Sequence, residues 1–420
     1  MMNNISTKLL KANDEEKHHF RNRTVNRYSR IDWINPLVII LLCIVGVFFI
    51  YSAQAYSQGS YWQKQIFWIF LSFCFYFFVS GLDYKLWIQN SHWIYFLAII
   101  ILFLTLTPFG VSRNGAQRWL DLKIFQLQPT EIAKIGTLII LASILARSEI
   151  LESAGMRNTF FKVALIIGLP MLIIFKQPDL GSSLVFPPML LSLLYISGFP
   201  KRFFYSIALL VLPIALIVIE DISVYKQFID KNELCYHENK GIYEQRSYVP
   251  LSDYQRNRII ALYDAEGIDP NGINLTWNLN QSNISVSSGG LSGKGWTNGT
   301  QARLGYLPKS VAHNDFIFSV IAEEKGYIGS LFILSLFTIL IINTIRIATL
   351  SRDRFGSLLC VGVAVIFLMH VVVNIGMTIG LMPITGLPLP YISYGGSFLI
   401  SCFVLQALVQ STYRFRKKAL

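Results

Sequence analysis

Charge is scarce in this chain. Asp, Glu, Lys and Arg make up 14% of its 420 residues, against 53% hydrophobic, and the mean hydropathy is +0.48. That balance excludes a soluble globule and describes a polytopic membrane protein. The five cysteines show no metal-ligand spacing and imply no disulfide framework: Cys43, Cys74, Cys360 and Cys402 fall in apolar runs, and Cys235 stands alone in a polar loop. The first residues lack the apolar core of a signal peptide; positions 1–33 are polar and carry Lys8, Lys11, Lys17, Arg21, Arg23, Arg27 and Arg30. No internal repeat of the transporter kind is visible. Acidic residues are outnumbered, and the net charge is +12. The basic residues flank apolar runs, so the excess reads as membrane anchoring, and no nucleic-acid partner is expected.

What is present is a series of apolar runs near 36–55, 63–81, 92–108, 130–147, 161–175, 181–198, 203–219, 316–345, 357–380 and 391–412. With about 20 apolar residues needed to cross the hydrocarbon, they predict about ten helices. The runs are continuous rather than alternating, which selects helices over a barrel. The expected fold class is an all-α polytopic membrane protein with a long extracytoplasmic loop between the seventh and eighth transmembrane helices. The domains expected are a basic cytoplasmic tail at 1–35, a membrane domain at 36–412 that includes the extracytoplasmic loop 220–315, and a basic cytoplasmic tail at 413–420. An even number of spans puts both termini on one side. Arg414, Arg416, Lys417 and Lys418 match the basic N-terminal tail, and Lys201, Arg202, Arg346, Arg352 and Arg354 fall in short loops on that side. The positive-inside rule makes that side cytoplasmic.

The chemistry collects on the other side. Pro308–Glu324 ends the long polar loop and opens a span, so Asp315 sits where water meets lipid; a carboxylate there is costly unless paired, hydrated or used. In the loop 109–130, Arg118 beside Trp119 offers a guanidinium and an amphipathic anchor, or a plain interfacial belt. In Gln128-Pro-Thr-Glu-Ile-Ala-Lys, Pro129 and Thr130 suit a helix start, and Glu131 and Lys134 share a face as a structural ion pair or as cavity lining. Asp179, in Lys176-Gln-Pro-Asp-Leu-Gly-Ser-Ser, is a helix cap or a substrate contact. Pro187-Pro188 breaks the helix that follows. The run Asp253-Tyr-Gln-Arg256-Asn-Arg258 is basic and amphipathic. The run Ser287-Ser-Gly-Gly-Leu-Ser-Gly-Lys294-Gly fails the GxxxxGK[ST] spacing, and reads as a phosphate-handling nest with Lys294 or as a Gly-rich connector. Gly and Pro are so dense between Asn374 and Ser397 that this stretch must be kinked or re-entrant, facing protein or water.

Taken in order, Gly-Ala-Gln-Arg-Trp-Leu, Gln-Pro-Thr-Glu-Ile-Ala-Lys, Gln-Pro-Asp-Leu-Gly-Ser, His-Asn-Asp-Phe-Ile-Phe and Pro-Leu-Pro-Tyr-Ile-Ser-Tyr-Gly-Gly-Ser resemble the SEDS family of peptidoglycan glycosyltransferases over nearly all of 36–412. Ser-Gly-Gly-Leu-Ser-Gly-Lys-Gly and Thr-Gly-Leu-Pro-Leu-Pro bring the chain closer to the elongation type, RodA, than to the division type, FtsW. The resemblance implies a ten-helix bundle that polymerises lipid II, an undecaprenyl-pyrophosphate disaccharide-pentapeptide, on the outer leaflet of the bacterial inner membrane. It also implies a class B penicillin-binding protein as transpeptidase partner, within the elongation machinery that maintains cell shape. Asp315 matches the family's essential Asp. The chain departs from the family pattern by a short insertion before His313, by Lys309 in place of Glu, by Asn314 in place of Thr, by Lys64 where Arg is common, and by an extra segment near Tyr236–Pro250.

Asp315 is thus the expected general base. Arg118, Lys134, Lys64 and Lys294 are the expected pyrophosphate clamp, alone or with a divalent ion (Mg or Mn). Glu131 is expected to hold Lys134, Asp179 to orient a sugar or a loop, and Ser393 to contact substrate. Two rivals remain: a lipid II flippase with the same polar cavity but no base, and a non-catalytic scaffold for a penicillin-binding protein.

Overall fold

In hydrocarbon every backbone N–H and C=O must find a partner within the protein, and the apolar runs meet that demand as helices. The computed structural model describes residues 31–416, apart from 57–58, 114–115, 122, 124–125, 149–152, 233–240, 244–245 and 270–275. Most of the N-terminal basic tail, residues 417–420 of the C-terminal one, and much of the extra segment near 236–250 lie outside the described residues. The elements are α1 (Ile34–Gln54), α2 (Tyr61–Gly81), α3 (Lys85–Gln89), α4 (Ser91–Leu104), β1 (Gly110–Arg113), β2 (Ala116–Asp121), β3 (Gln126–Leu127), α5 (Pro129–Arg147), α6 (Ser153–Lys176), α7 (Leu180–Ser183) and α8 (Phe186–Ile196). They continue with α9 (Lys201–Lys231), α10 (Asp253–Tyr263), α11 (Ala265–Ile268), α12 (Trp277–Ser288), α13 (Thr300–Leu304), α14 (Lys309–Ala312), α15 (Ile317–Leu350), α16 (Arg354–Thr378) and α17 (Gly396–Arg414).

Eight of these helices are long and apolar enough to span a membrane, and two shorter apolar ones, α4 and α8, fill the remaining places in the series. Each expected apolar run is matched by one of them. α5, α16 and α17 are mostly buried and form the centre. α17 packs along α2, α15 lies against α16 and α1, α4 against α5, and α16 also against α5 and α8. Pro187 and Pro188 do not bend a long helix. They occupy the first turn of α8, where a missing N–H costs nothing, and α7 forms a separate turn before it. Within 109–130, β1, β2 and β3 make a small antiparallel sheet beside the start of α5, its register shifting between Val111 and Ser112.

The Gly-rich run after α12 has a structural task. α15 is interrupted at Gly326, whose φ of 63° and ψ of −159° are not helical. The break frees backbone groups that need partners. Lys294 and Gly295 donate to the carbonyls of Glu323 and Glu324 at 3.0 Å each, while Tyr327 and Ile328 donate to Gly290 and Leu291 at 2.8 and 3.1 Å. A Cβ at Gly326 would lie 2.5 Å from the Gly293 nitrogen, so only glycine fits this join.

A second, smaller core stands apart from the bundle. Ile222, Tyr225 and Ile229 from the end of α9 pack with Tyr243, Ile260, Ala261 and Ile268. The apolar stretch of α9 before it is almost wholly exposed to what would be lipid.

Candidate functional site

The residues that precede α15 are held by their main chain. Residues 313–316 turn between α14 and α15. Three consecutive carbonyls there are each gripped from the Gly/Pro-rich C-terminal region. His313 O accepts from Tyr394 N at 3.0 Å, Asn314 O from Ser393 Oγ at 2.7 Å, and Asp315 O from Asn374 Nδ2 at 2.9 Å. Asn374 Nδ2 also donates to Leu387 O at 2.7 Å, and Ser393 Oγ accepts from Leu389 N at 2.7 Å. The same loop therefore both grips the turn and is held to it. The His313 ring stacks on Tyr61 at 4.5 Å. Gly386, at a φ of +75° that favours glycine, lies beside the Asp315 carboxylate; a Cβ there would stand in contact with its Oδ2 at 3.5 Å.

Asp315 faces a cavity of about 1010 Å³ at one end of the bundle. Its other charged lining residues are Lys64, Arg118, Asp179 and Arg258, and Tyr61, Trp68, Trp119, Tyr254 and Tyr394 supply aromatic surface. β2 carries Arg118 to the rim, where Nε donates to Gln177 O at 3.4 Å, Nη2 to Pro178 O, and Nη1 lies 3.7 Å from Asp179 Oδ1. Asp179 also caps α7, accepting from Ser182 N at 3.2 Å and Ser182 Oγ at 2.8 Å. Lys64, in the first turn of α2, lies 5.5 Å from the centre of the Tyr61 ring. Arg258 stands 4.3 Å over the Tyr254 ring and donates to its hydroxyl. Burial pushes the Asp315 carboxyl up to about 6; Arg258 and Arg118 pull it back down, and Asp179 adds to the rise. Burial likewise lowers Arg258 from its ordinary value.

Below the cavity lies a second charged group. Lys134 Nζ is 2.8 Å from Glu131 Oε1, with both side chains buried, so the pair expected from their spacing is present. Lys134 also meets His370 Nε2 at 2.9 Å, and His370 Nδ1 lies 3.1 Å from Pro388 O. An ammonium only donates, so Nε2 accepts and Nδ1 carries the hydrogen given to Pro388. Pro388 and Phe398 line the cavity, whereas Lys134 and Glu131 do not.

Four of the eight expected site residues thus meet in one cavity: Asp315, Lys64, Arg118 and Asp179. Glu131 and Lys134 support its floor from beneath, which corrects the expectation of Lys134 in the pyrophosphate clamp: its ammonium is taken by Glu131 and His370 and does not line the cavity. Lys294 is a second correction. Its ammonium is 2.7 Å from Glu323 Oε1 and 2.6 Å from Thr300 Oγ1, which ties the Gly-rich run to α15 outside the cavity lining. Ser393 is a third correction: it is buried, and its hydroxyl is spent on Asn314 O and Leu389 N rather than facing the cavity. Arg258, Tyr254, Asn374 and His370 were not expected at the site. The basic run 253–258 was visible in the sequence and placed in the outer loop, but not that its Tyr254 and Arg258 would line the cavity. Among the described residues no three His, Cys, Asp or Glu side chains gather as metal ligands. A divalent ion held near Asp315 and Asp179 would draw most of its ligands from substrate phosphates and water.

A family model described as "Cell cycle protein", spanning FtsW, RodA and SpoVE, matches residues 32–418. The chain belongs to the FtsW/RodA/SpoVE family. Peptidoglycan glycosyltransferase MrdB of Escherichia coli K12 is 33% identical over 381 residues, which cover 91% of this chain and 93% of MrdB. Peptidoglycan glycosyltransferase RodA of Treponema pallidum is 31% identical, over 91% of this chain and 97% of its own length. A solved structure, reported for the coordination of polymerization and crosslinking by a peptidoglycan synthase complex, shares the fold. Its TM-score is 0.73 at 24% identity, over 93% of this chain and 100% of that one. This member of the family is a multi-helix membrane protein like its relatives.

The raised Asp315 carboxyl has a consequence for stability. Between the ordinary carboxylate value of 3.8 and about 6 the folded state holds a proton that the unfolded state has lost, so stability falls as pH rises through that window. Asp315→Asn removes this partly buried charge. In thermal melts of purified protein it should be more stable than the wild type at pH 8, by about 1–2 kcal/mol after allowance for water reaching the cavity. The difference should close below pH 4. Equal melting at pH 8 would show that the charge costs nothing where it sits.

Proposed function

We propose that this protein is a peptidoglycan glycosyltransferase of the elongation type, polymerising lipid II into β-1,4 glycan strands at the outer face of the bacterial cytoplasmic membrane. The observation that carries the reading is the single cavity in which one carboxylate with raised proton affinity faces three cationic side chains, Lys64, Arg118 and Arg258. The names of the relatives agree with it.

The charge distribution suits the leaving group. A glycosidase acting on an alkoxide leaving group needs one carboxylic acid to protonate it and a second carboxylate for the attack. A lipid pyrophosphate leaves as a stable anion and needs cations instead. Asp315 takes the proton from the acceptor 4-hydroxyl as that oxygen bonds to the anomeric carbon of the donor. The bond from that carbon to the pyrophosphate oxygen breaks, its electron pair stays on the phosphate, and the α-linked donor becomes a β-linked product. Arg118, Lys64 and Arg258 stabilise the departing charge in a cavity where water is restricted. Glu131, Lys134 and His370 hold the floor, and Asp179 fixes Arg118. A base titrating near 6 is largely ionised at neutral pH and ready to accept a proton.

At the end opposite the cavity Lys201 and Arg202 open α9, Arg346 lies in the last turns of α15, Arg352 follows it, Arg354 opens α16, and Arg414 closes α17. The positive-inside rule places that end, with both termini and the tails 1–35 and 413–420, in the cytoplasm, and the loop 220–315 outside. A class B penicillin-binding protein is the proposed partner, and the relationship in fold to a chain of a peptidoglycan synthase complex supports it.

Two experiments test these statements. Asp315→Asn keeps size and hydrogen bonding but cannot accept the proton; lipid II polymerisation at matched abundance should fall about 10²–10⁴-fold. Near-normal polymer would remove Asp315 from the mechanism, and translocation of lipid II without polymer by the wild type would make the protein a flippase. For orientation, a cysteine replacing the exposed Ser287, in a chain without other cysteines, should react with an impermeant thiol reagent in intact cells after any outer membrane is permeabilised. Labelling only after lysis would reverse the topology.

A further inference from the structure

Arg258 reaches the cavity from an unexpected direction. It belongs to α10, in the long polar loop, and α10 packs on the end of α9 rather than on the central helices. At the heart of that small core is Arg256, a fully buried cation. Its Nε donates to Asp221 Oδ2 at 2.8 Å, its Nη2 to Ser247 Oγ at 2.8 Å and Val249 O at 3.1 Å, and its Nη1 lies 3.3 Å from Asp253 Oδ1. The guanidinium also sits 5.0 Å from the Tyr243 ring and 5.8 Å from the Tyr225 ring. The planar fork therefore joins α9, the segment 247–251 and α10 in one contact set, which no ammonium could reproduce. The start of α10 is fixed separately by a capping box between Ser252 and Gln255. Two residues on a helix are about 200° apart, so locking Arg256 inward turns Arg258 the other way. There Arg258 and Tyr254 line the cavity with Asp315.

We infer that Arg256 is a positioning residue whose buried fork orients α10 so that Arg258 stands in the cavity beside Asp315. The inference rests on the reading of Asp315 as the base. The groups that face Asp315 are Arg118 from β2, Asp179 before α7, Lys64 and Tyr61 from α2, Tyr254 and Arg258 from α10, and Tyr394 before α17. Of these, Tyr254 and Arg258 depend on the loop core through α10, and Arg258 is the one that carries a charge. A cation beside a carboxylate favours its ionised form, so withdrawing Arg258 makes Asp315 easier to protonate and moves the loss of activity to higher pH.

The test is the pH dependence of kcat/KM for lipid II polymerisation by the purified full chain. The wild type should lose activity as pH falls through about 6. Arg258→Gln should move that acid limb up by about 0.5–1 pH unit. Arg256→Lys, which keeps the charge and loses the fork, should move it the same way, and the double variant should move it no further. A purely structural role for Arg256 would lower the rate equally at every pH by reducing the active fraction. Should Arg256→Lys not fold, Ser247→Ala, which removes one acceptor of the fork, carries the same prediction at smaller size. An unmoved limb in Arg258→Gln, or in whichever fork variant folds, overturns the inference. If Asp315→Asn still makes polymer, the base reading itself has failed; if it is inactive and the limb does not move, only the role of Arg256 has failed.

Discussion

The grip on residues 313–315 is the constraint on which the site depends. A carboxylate at the mouth of a membrane bundle is pulled toward water by its own hydration, and a free turn would let it go. Here each of the three carbonyls is held, by Tyr394 N, by the Ser393 hydroxyl and by the Asn374 amide. These bonds fix the backbone through its carbonyls and leave the Asp315 side chain to face the cavity. They also explain the Gly and Pro content of 376–397: a straight helix could not return along the turn, present Leu387 and Pro388 carbonyls inward and set Gly386 beside the Asp315 carboxylate.

The floor and the walls follow from the same economy of charge. With so few ionised groups in the membrane domain, the buried ones around the cavity have partners that do a further task. Glu131 neutralises Lys134, Lys134 fixes the tautomer of His370, and His370 secures Pro388 in the cavity wall. Asp179 balances Arg118 and caps α7. Removing one member of such a pair leaves the other uncompensated in a poor dielectric, which is why these residues are coupled to the fold as strongly as to the chemistry. The cations left facing the cavity match a departing pyrophosphate, and the one raised carboxylate matches a hydroxyl that must lose its proton.

The helices were legible because hydropathy over about 20 residues is a long, redundant signal. Asp315 was legible because an acid at the start of an apolar span has few structural excuses. Arg118 and Asp179 could be named from local motifs, yet their direct contact joins two loops far apart in sequence. Lys294 misled, because a lysine in a Gly-rich run looks alike whether it awaits a phosphate or, as here, Glu323. Ser393 misled for a similar reason: a polar residue in a kinked loop can face the cavity or brace the backbone behind it. Arg258 was missed because its placement depends on Asp221, Ser247 and Arg256 meeting in a small core that no periodicity announces.

The central claim is that one cavity holds the departing pyrophosphate on its cations while Asp315 meets the attacking hydroxyl. The most direct measurement is a structure of the protein with a lipid II analogue that binds but does not react, together with an acceptor strand. The account predicts the pyrophosphate among Arg118, Lys64 and Arg258, and the acceptor 4-hydroxyl within about 2.6–3.2 Å of the Asp315 carboxylate. A pyrophosphate bound away from those three side chains, or a hydroxyl that Asp315 cannot reach even through one water, would contradict it.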